Sequence, residues 1–198
     1  MHARVNIIFG KRDKVDAGIA HVEDSNRPAV EATPGNRGLT TLVDREAGVI
    51  VAVSYWDEPA HSSQAALTRA REGVVAATDG DLVVETYEVA TAVRHAAAEP
   101  GAVVRMVRVQ LEPARVEDGL AFVRDEVVAQ LPDAAGWRGA EVLIDRRSGA
   151  GVFVTTWADE DAATLVDAEL GRRRDDAVER FGAKFPRTET YALVNSSV

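Results

Sequence analysis

Residues 35–56 read GNRGLTTLVDREAGVIVAVSYW, and residues 136–157 read GWRGAEVLIDRRSGAGVFVTTW. At an offset of 101, Gly35 falls on Gly136, Arg37 on Arg138, Gly38 on Gly139, Asp44 on Asp145, Gly48 on Gly149 and Trp56 on Trp157. Upstream, the segment VDAGIA from Val15 lies on VEDGLA from Val116 with no gap. Downstream, Glu85-Thr86-Tyr87 returns as Glu189-Thr190-Tyr191 at an offset of 104, so the second copy gains three residues in its second helical segment. One unit is written twice.

Each copy carries the same order of elements. A strand (Val5 to Phe9; Val103 to Leu111) precedes a helix of about four turns (Lys14 to Val30; Val116 to Gln130). Two strands follow, joined by a tight turn at Arg45-Glu46-Ala47-Gly48 or Arg146-Arg147-Ser148-Gly149, where glycine suits a positive φ. Asp57 or Asp159 is placed to cap a second helix, with Pro59 in the first turn of copy one. A closing strand (Leu82 to Ala90; Thr188 to Val194) completes β-α-β-β-α-β, the ferredoxin-like unit. Both faces of the strand Val49-Ile50-Val51-Ala52-Val53 are apolar, although the helices of such a unit cover only one face of the sheet. The second face needs a partner, and the other copy supplies one. The expected fold is α+β: two ferredoxin-like βαββαβ repeats whose antiparallel sheets pack face to face as an intrachain pseudo-dimeric α+β barrel. The repeats are expected at residues 1–92 and 102–198, with 93–101 as a linker.

The 198 residues are 46% apolar and 28% charged, carry a formal net charge of −9 and include no cysteine. Disulfides, thiolate metal sites and thiol catalysis are excluded. The acidic balance argues against nucleic acid and anionic membranes as partners. The apolar run from Val5 to Phe9 is too short for a signal-peptide core, and no window reaches the ~20 apolar residues of a spanning helix. A cytoplasmic location is expected.

The pattern Pro-Gly-x-x-Gly, strand, glycine hairpin, V-x-V-S/T-x-W and then acidic residues resembles the antibiotic-biosynthesis monooxygenase (ABM-like) domains. Copy one supplies Pro34-Gly35-Asn36-Arg37-Gly38 and Val51 to Glu58; copy two supplies Gly136-Trp137-Arg138-Gly139 and Val152 to Glu160. The resemblance spans both halves and implies the dimeric α+β barrel, with the tandem replacing a homodimer. That family includes cofactor-independent monooxygenases that oxidise polycyclic phenols to quinones, haem-degrading oxygenases, and members without a known reaction. It implies a small hydrophobic or aromatic molecule as ligand and no cofactor. In its oxidising members an asparagine on the first strand and aromatic residues line a pocket between helices and sheet. Asn6 stands at that position in copy one and Val107 in copy two. The Trp and His of the haem-degrading members fall on Ala65 and Val74, or on Val166 and Asp175, so the resemblance does not extend to that constellation.

Asn6, in an apolar strand, either holds a substrate hydroxyl or makes a structural hydrogen bond. Trp56 and Tyr87 wall a pocket in the functional reading; their recurrence as Trp157 and Tyr191 favours packing. His21 and His61 are natural proton acceptors for a phenol, yet copy two has Phe122 and Ala162 there, which equally fits two solvent-exposed histidines. The histidines at 2, 21, 61 and 95 have no metal-ligand spacing, so no metal is expected. Gly35-x-x-Gly38 follows a helix and reads as an exit turn, not a phosphate loop. Arg172-Arg173-Arg174, followed by Asp175-Asp176, reads as a solvated helix face with i, i+3/i+4 pairing. Two functions remain open. One is a cofactor-free monooxygenase with Asn6, His21 and His61 as its catalytic groups. The other is a non-catalytic ligand-binding or interaction protein, and further oligomerisation of the pseudo-dimer fits either.

Overall fold

Both duplicated hairpins form. β2 (Asn36–Asp44) pairs with β3 (Val49–Trp56), and β6 (Trp137–Asp145) pairs with β7 (Ala150–Trp157), each antiparallel. The turn glycines Gly48 and Gly149 have φ of 75° and 74°, a region in which a Cβ is strained. The structure is a computed structural model that describes residues 1–59, 61 and 65–198, the side chains of residues 65 and 66 excepted. β1 (His2–Phe9) flanks β3, and β5 (Val103–Gln110) flanks β7 in the same way. All eight residues of β3 are buried, which meets the expectation drawn from its two apolar faces.

The closing strands are longer than their hydrophobic pattern suggests. β4 runs Asp81–Arg94 and β8 runs Lys184–Ser196. Beyond Ala90, the residues Thr91 to Arg94 pair with Gly139 to Val142, and the Arg94 side chain pairs with Glu141 at 2.9 Å, so this end of β4 is held by β6. The chain divides into two compact units, Met1–Tyr87 with Ala192–Val198, and Glu88–Tyr191. In the first unit the end of β8 pairs Ala192 with Val43 and Ser196 with Thr40, covering the outer edge of β2. In the second, the end of β4 covers β6. The fold class is the expected α+β barrel, its eight antiparallel strands hydrogen-bonded in the closed order β1-β3-β2-β8-β5-β7-β6-β4.

The first helix of each repeat is not a uniform α-helix. α1 (Val15–His21) passes through a π segment (Val22–Asn26) into α2 (Arg27–Glu31), and the Arg27 N–H donates to the Val22 carbonyl five residues back. α4 (Val116–Phe122) passes into the aligned π segment Val123–Val127 and then into a 3₁₀ stretch, Val128–Asp133, that contains Pro132. The second helical segment is α3 (Ala65–Thr78) in the first unit, and α5 (Glu160–Leu165) followed by α6 (Asp167–Phe181) in the second. Asp159 caps α5 as expected, accepting from the Ala162 N–H at 2.8 Å. Asp57 takes both Arg37 nitrogens, at 2.6 and 2.8 Å; the residues that lead from it into α3 include ones outside those described. No helix among the described residues is long and apolar enough to cross a membrane.

Candidate functional site

In the second unit the helices and the sheet leave a cavity of about 400 Å³ between them, inside the usual range for small-molecule sites. Strand alternation sets its floor. Arg105, Val107 and Val109 of β5 point to it, while Val104 and Met106 are buried on the opposite face. Phe153 and Thr155 of β7 and Thr188 and Thr190 of β8 extend that floor. The roof is helical: Val123 and Val127 of the π segment, and Asp167, Leu170, Arg174, Ala177 and Phe181 of α6 at steps of three and four. The aligned place in the first unit is nearly filled. A cavity of about 40 Å³ is left there among Arg4, Asn6, Val22, Asn26, Ser54, Trp56 and Arg71, enough for one or two waters.

Two of the five residues singled out from the sequence, Asn6 and Trp56, meet at the small cavity. Asn6 Nδ2 donates to the Ala52 carbonyl at 3.2 Å, and its buried Oδ1 has no partner among the described residues. Trp56 is 1% exposed and donates from Nε1 to Ser54 Oγ at 2.9 Å; Trp157 repeats the bond to Thr155 at 3.0 Å. Tyr87 donates to Glu85 at 3.2 Å and lines neither cavity. His21 packs on Gly73, where a Cβ would come within 2.4 Å of its Nε2. His61 packs on Gly35, and its buried Nδ1 has no hydrogen-bond partner among the described residues. Neither histidine lines the described cavities.

The cationic groups at both cavities are arginines, none of which the sequence reading placed at a site; Asp167 is the acid that lines the larger cavity. Arg105 donates to the Ala163 carbonyl at 3.1 Å and pairs with Glu160 at 3.0 Å and with Asp167. Arg172 and Arg173 pair along α6 with Glu169, as a solvated face predicts. Arg174 does not: it turns to the cavity. Its place in the stripe Asp167-Leu170-Arg174-Ala177-Phe181 is the signal that could have found it. In the first unit, burial lowers the pKa of Arg4; burial and then the charge of Arg4 lower that of Arg71.

Haem iron takes His, Met, Cys or Tyr as its protein ligand, and no such side chain among the described residues lines either cavity. The cavities do not fit haem. Among the described residues no group of three His, Asp or Glu side chains gathers as a metal site.

No family model matches the chain. The uncharacterized protein Rv2557 of Mycobacterium tuberculosis H37Rv is 32% identical over 164 residues, 82% of this chain and 73% of that protein. Among solved structures, a Lactobacillus acidophilus NCFM protein superposes with a TM-score of 0.72 at 12% identity, covering 100% of this chain and 95% of that one. An anthrone oxidase-like protein superposes with a TM-score of 0.69 at 14% identity, covering 98% of this chain and 92% of that one. A Listeria monocytogenes ferredoxin-fold protein related to antibiotic biosynthesis monooxygenases gives a TM-score of 0.60 at 11% identity, covering 98% and 95%. The chain therefore belongs to the family of Rv2557 and has the ABM-like, dimeric α+β barrel fold.

Proposed function

We propose that the chain binds one small, largely apolar or aromatic molecule in the cavity of its second unit. The observation that carries this reading is the difference in volume, about 400 Å³ against about 40 Å³ at the aligned place. The sequence repeats, residues 1–92 and 102–198 with 93–101 between them, have then divided their roles: the second keeps the ligand space and the first is packed. A cytoplasmic location accords with this reading. Calorimetric titration with 2-naphthamide, a neutral aromatic probe, tests it: one site per chain is expected. Ala177→Trp puts an indole into the cavity and is expected to weaken the probe at least tenfold. Overpacking costs about 1–3 kcal/mol, so Val107→Phe is the second filling variant, and both are checked for a cooperative melt. No binding by the unsubstituted chain, or binding untouched in both folded variants, removes the reading.

A second reading is favoured by the unpartnered Oδ1 of Asn6 and by the likeness to an anthrone oxidase-like protein. A buried acceptor left unpaired costs about 1–3 kcal/mol, and a substrate hydroxyl could satisfy it. The reaction is then a cofactor-free monooxygenation: Asn6 orients the substrate beside Trp56, and the substrate anion reduces O₂, one oxygen atom entering the substrate and the other leaving as water. The roles of His21 or His61 as proton acceptor and of Tyr87 as wall require the first unit to open, since none of the three lines its small cavity. Oxygen uptake with anthrone is expected to fall about ten- to a hundredfold in Asn6→Ala, the scale of one lost hydrogen bond in a polar site. No uptake by the unsubstituted chain, or uptake that Asn6→Ala leaves unchanged, excludes this role.

A further inference from the structure

Three arginines, Arg105, Arg173 and Arg174, line the cavity of the second unit against a single acid, Asp167. Two of the three are committed. Arg105 is held by Glu160, Asp167 and the Ala163 carbonyl. Arg173 is ion-paired with Glu169 at 3.2 Å and donates to Gln130 at 2.8 Å, although its buried Nε makes no hydrogen bond among the described residues. Arg174, half-buried between Leu170 and Ala177 of the same helical stripe, has no ion pair or hydrogen bond among the described residues. A cation kept at an apolar wall without a counter-charge is costly unless something pairs with it.

The same two places carry arginine in the first unit. Arg4 on β1 aligns with Arg105 at the offset of 101. On the second helix an offset of 103 brings Leu67 onto Leu170, Arg71 onto Arg174, Val74 onto Ala177 and Thr78 onto Phe181. The arginines thus persist where other cavity positions have changed, Asn6 to Val107 and Asn26 to Val127. A packing role alone does not explain a charged side chain kept between Leu170 and Ala177 in one unit and between Leu67 and Val74 in the other.

We propose that the ligand of the second unit is an apolar, aromatic carboxylic acid, its carboxylate paired with Arg174 and its body among Phe122, Phe153 and Phe181. The inference rests on the cavity being a ligand site and adds the charge of what it takes. A guanidinium matches a carboxylate in a planar, two-bond fork. One uncommitted guanidinium in a cavity that also holds Asp167, on a chain of net charge −9, suits a single negative charge better than a dianionic phosphate. Thr188 and Thr190, on the sheet floor of the same cavity, carry further hydroxyl donors.

The test is calorimetric titration of the whole chain with 2-naphthoate and with 2-naphthamide, which share a ring system and differ in charge. The acid is expected to bind about ten- to a hundredfold tighter than the amide, the scale of one charge-assisted hydrogen-bonded pair. Arg174→Met is expected to bring the acid to the affinity of the amide and leave the amide unchanged, while Arg174→Lys restores part of the preference. Because Arg174 holds no partner among the described residues, neither substitution orphans a described carboxylate, and a melt checks that both fold. Equal binding of the two probes by the unsubstituted chain overturns the acid preference while the cavity reading stands. An acid preference that survives Arg174→Met overturns the assignment to Arg174. Binding of neither probe overturns both readings.

Discussion

Glu189→Gln lowers stability by about 3–5 kcal/mol, the cost of removing the charge from one side of a buried ion pair, and moves the melting midpoint down by roughly 6–20 °C at the sensitivity of a chain this size. Glu189 is on the face of β8 opposite Thr188 and Thr190, and its side chain is 5% exposed. It accepts from Arg108 Nε at 2.7 Å, pairs with Arg187 at 3.2 Å and accepts the Tyr191 hydroxyl at 3.0 Å. Arg187 reaches solvent, but Arg108 is 14% exposed and has far less water to turn to. The glutamine keeps the shape and removes the charge, so the loss reads the electrostatics and not a void. Burial, and then the charge and hydrogen bond of Glu189, raise the Tyr191 phenol well above its ordinary value. The same variant therefore brings the phenol back toward ordinary titration, visible by ultraviolet absorbance. A melt unchanged by Glu189→Gln contradicts the account.

Arg27→Met is expected to cost a similar amount, about 3–5 kcal/mol, in the first unit. Its guanidinium, 10% exposed, pairs with Glu23 at 2.7 Å and Glu31 at 3.0 Å. It also donates to the Leu39 carbonyl at 2.8 Å and to Thr41 at 3.1 Å. Ser197 joins the same network, and Asn195 donates to Glu23 at 2.7 Å. The arginine thus ties α2, β2 and the end of β8 together. Burial opposes ionisation of Glu23, but hydrogen bonds from Arg27, Thr41 and Asn195 outweigh it and hold the carboxyl below its ordinary 4.5. A carboxyl whose folded pKa is depressed adds stability above its unfolded pKa and loses it as pH falls through the folded value. Stability should accordingly decline below about pH 4.5, and in Arg27→Met the part of that decline owed to Glu23 should shrink. Melts across pH 3–7 check both the offset and the slope. Equal stability of the two proteins at pH 7 would show that the network contributes nothing net.

The duplication made the element order legible, because hairpin glycines, capping aspartates and alternating apolar strands are local signals. Trp56 and Trp157, whose recurrence favoured packing, are each buried and bonded to the hydroxyl two residues before it, and Trp56 also lines the small cavity. The ends of β4 and β8 were not legible. Thr91 to Arg94 are extended because β6, more than 40 residues later, pairs with them. Nor was the volume of either cavity, which depends on how whole helices are offset from the sheet and not on any one side chain. Asn6 drew attention as a polar residue in an apolar strand, whereas Arg174 sat inside a run of charges where the helical period of its neighbours was easy to overlook. Periodicity says which way a residue points; it does not say whether the space beyond is filled.

The first unit takes Ala192–Val198 into its own fold, and this sets a clock on biosynthesis. When Tyr87 leaves the ribosome, the β2 edge of that unit still lacks the strand that pairs Val43 with Ala192 and Thr40 with Ser196. At about 5–20 residues per second, the remainder up to Val198 takes roughly 5–20 s to translate. For that interval a nearly complete half-protein exposes an unpaired strand edge to the crowded ribosome surface, and to neighbouring nascent copies carrying the same edge. The arginine that later binds Ser197 is already in place beside it, so Ala192–Val198 are met by a charged, hydrogen-bonding receptor rather than a bare apolar strip.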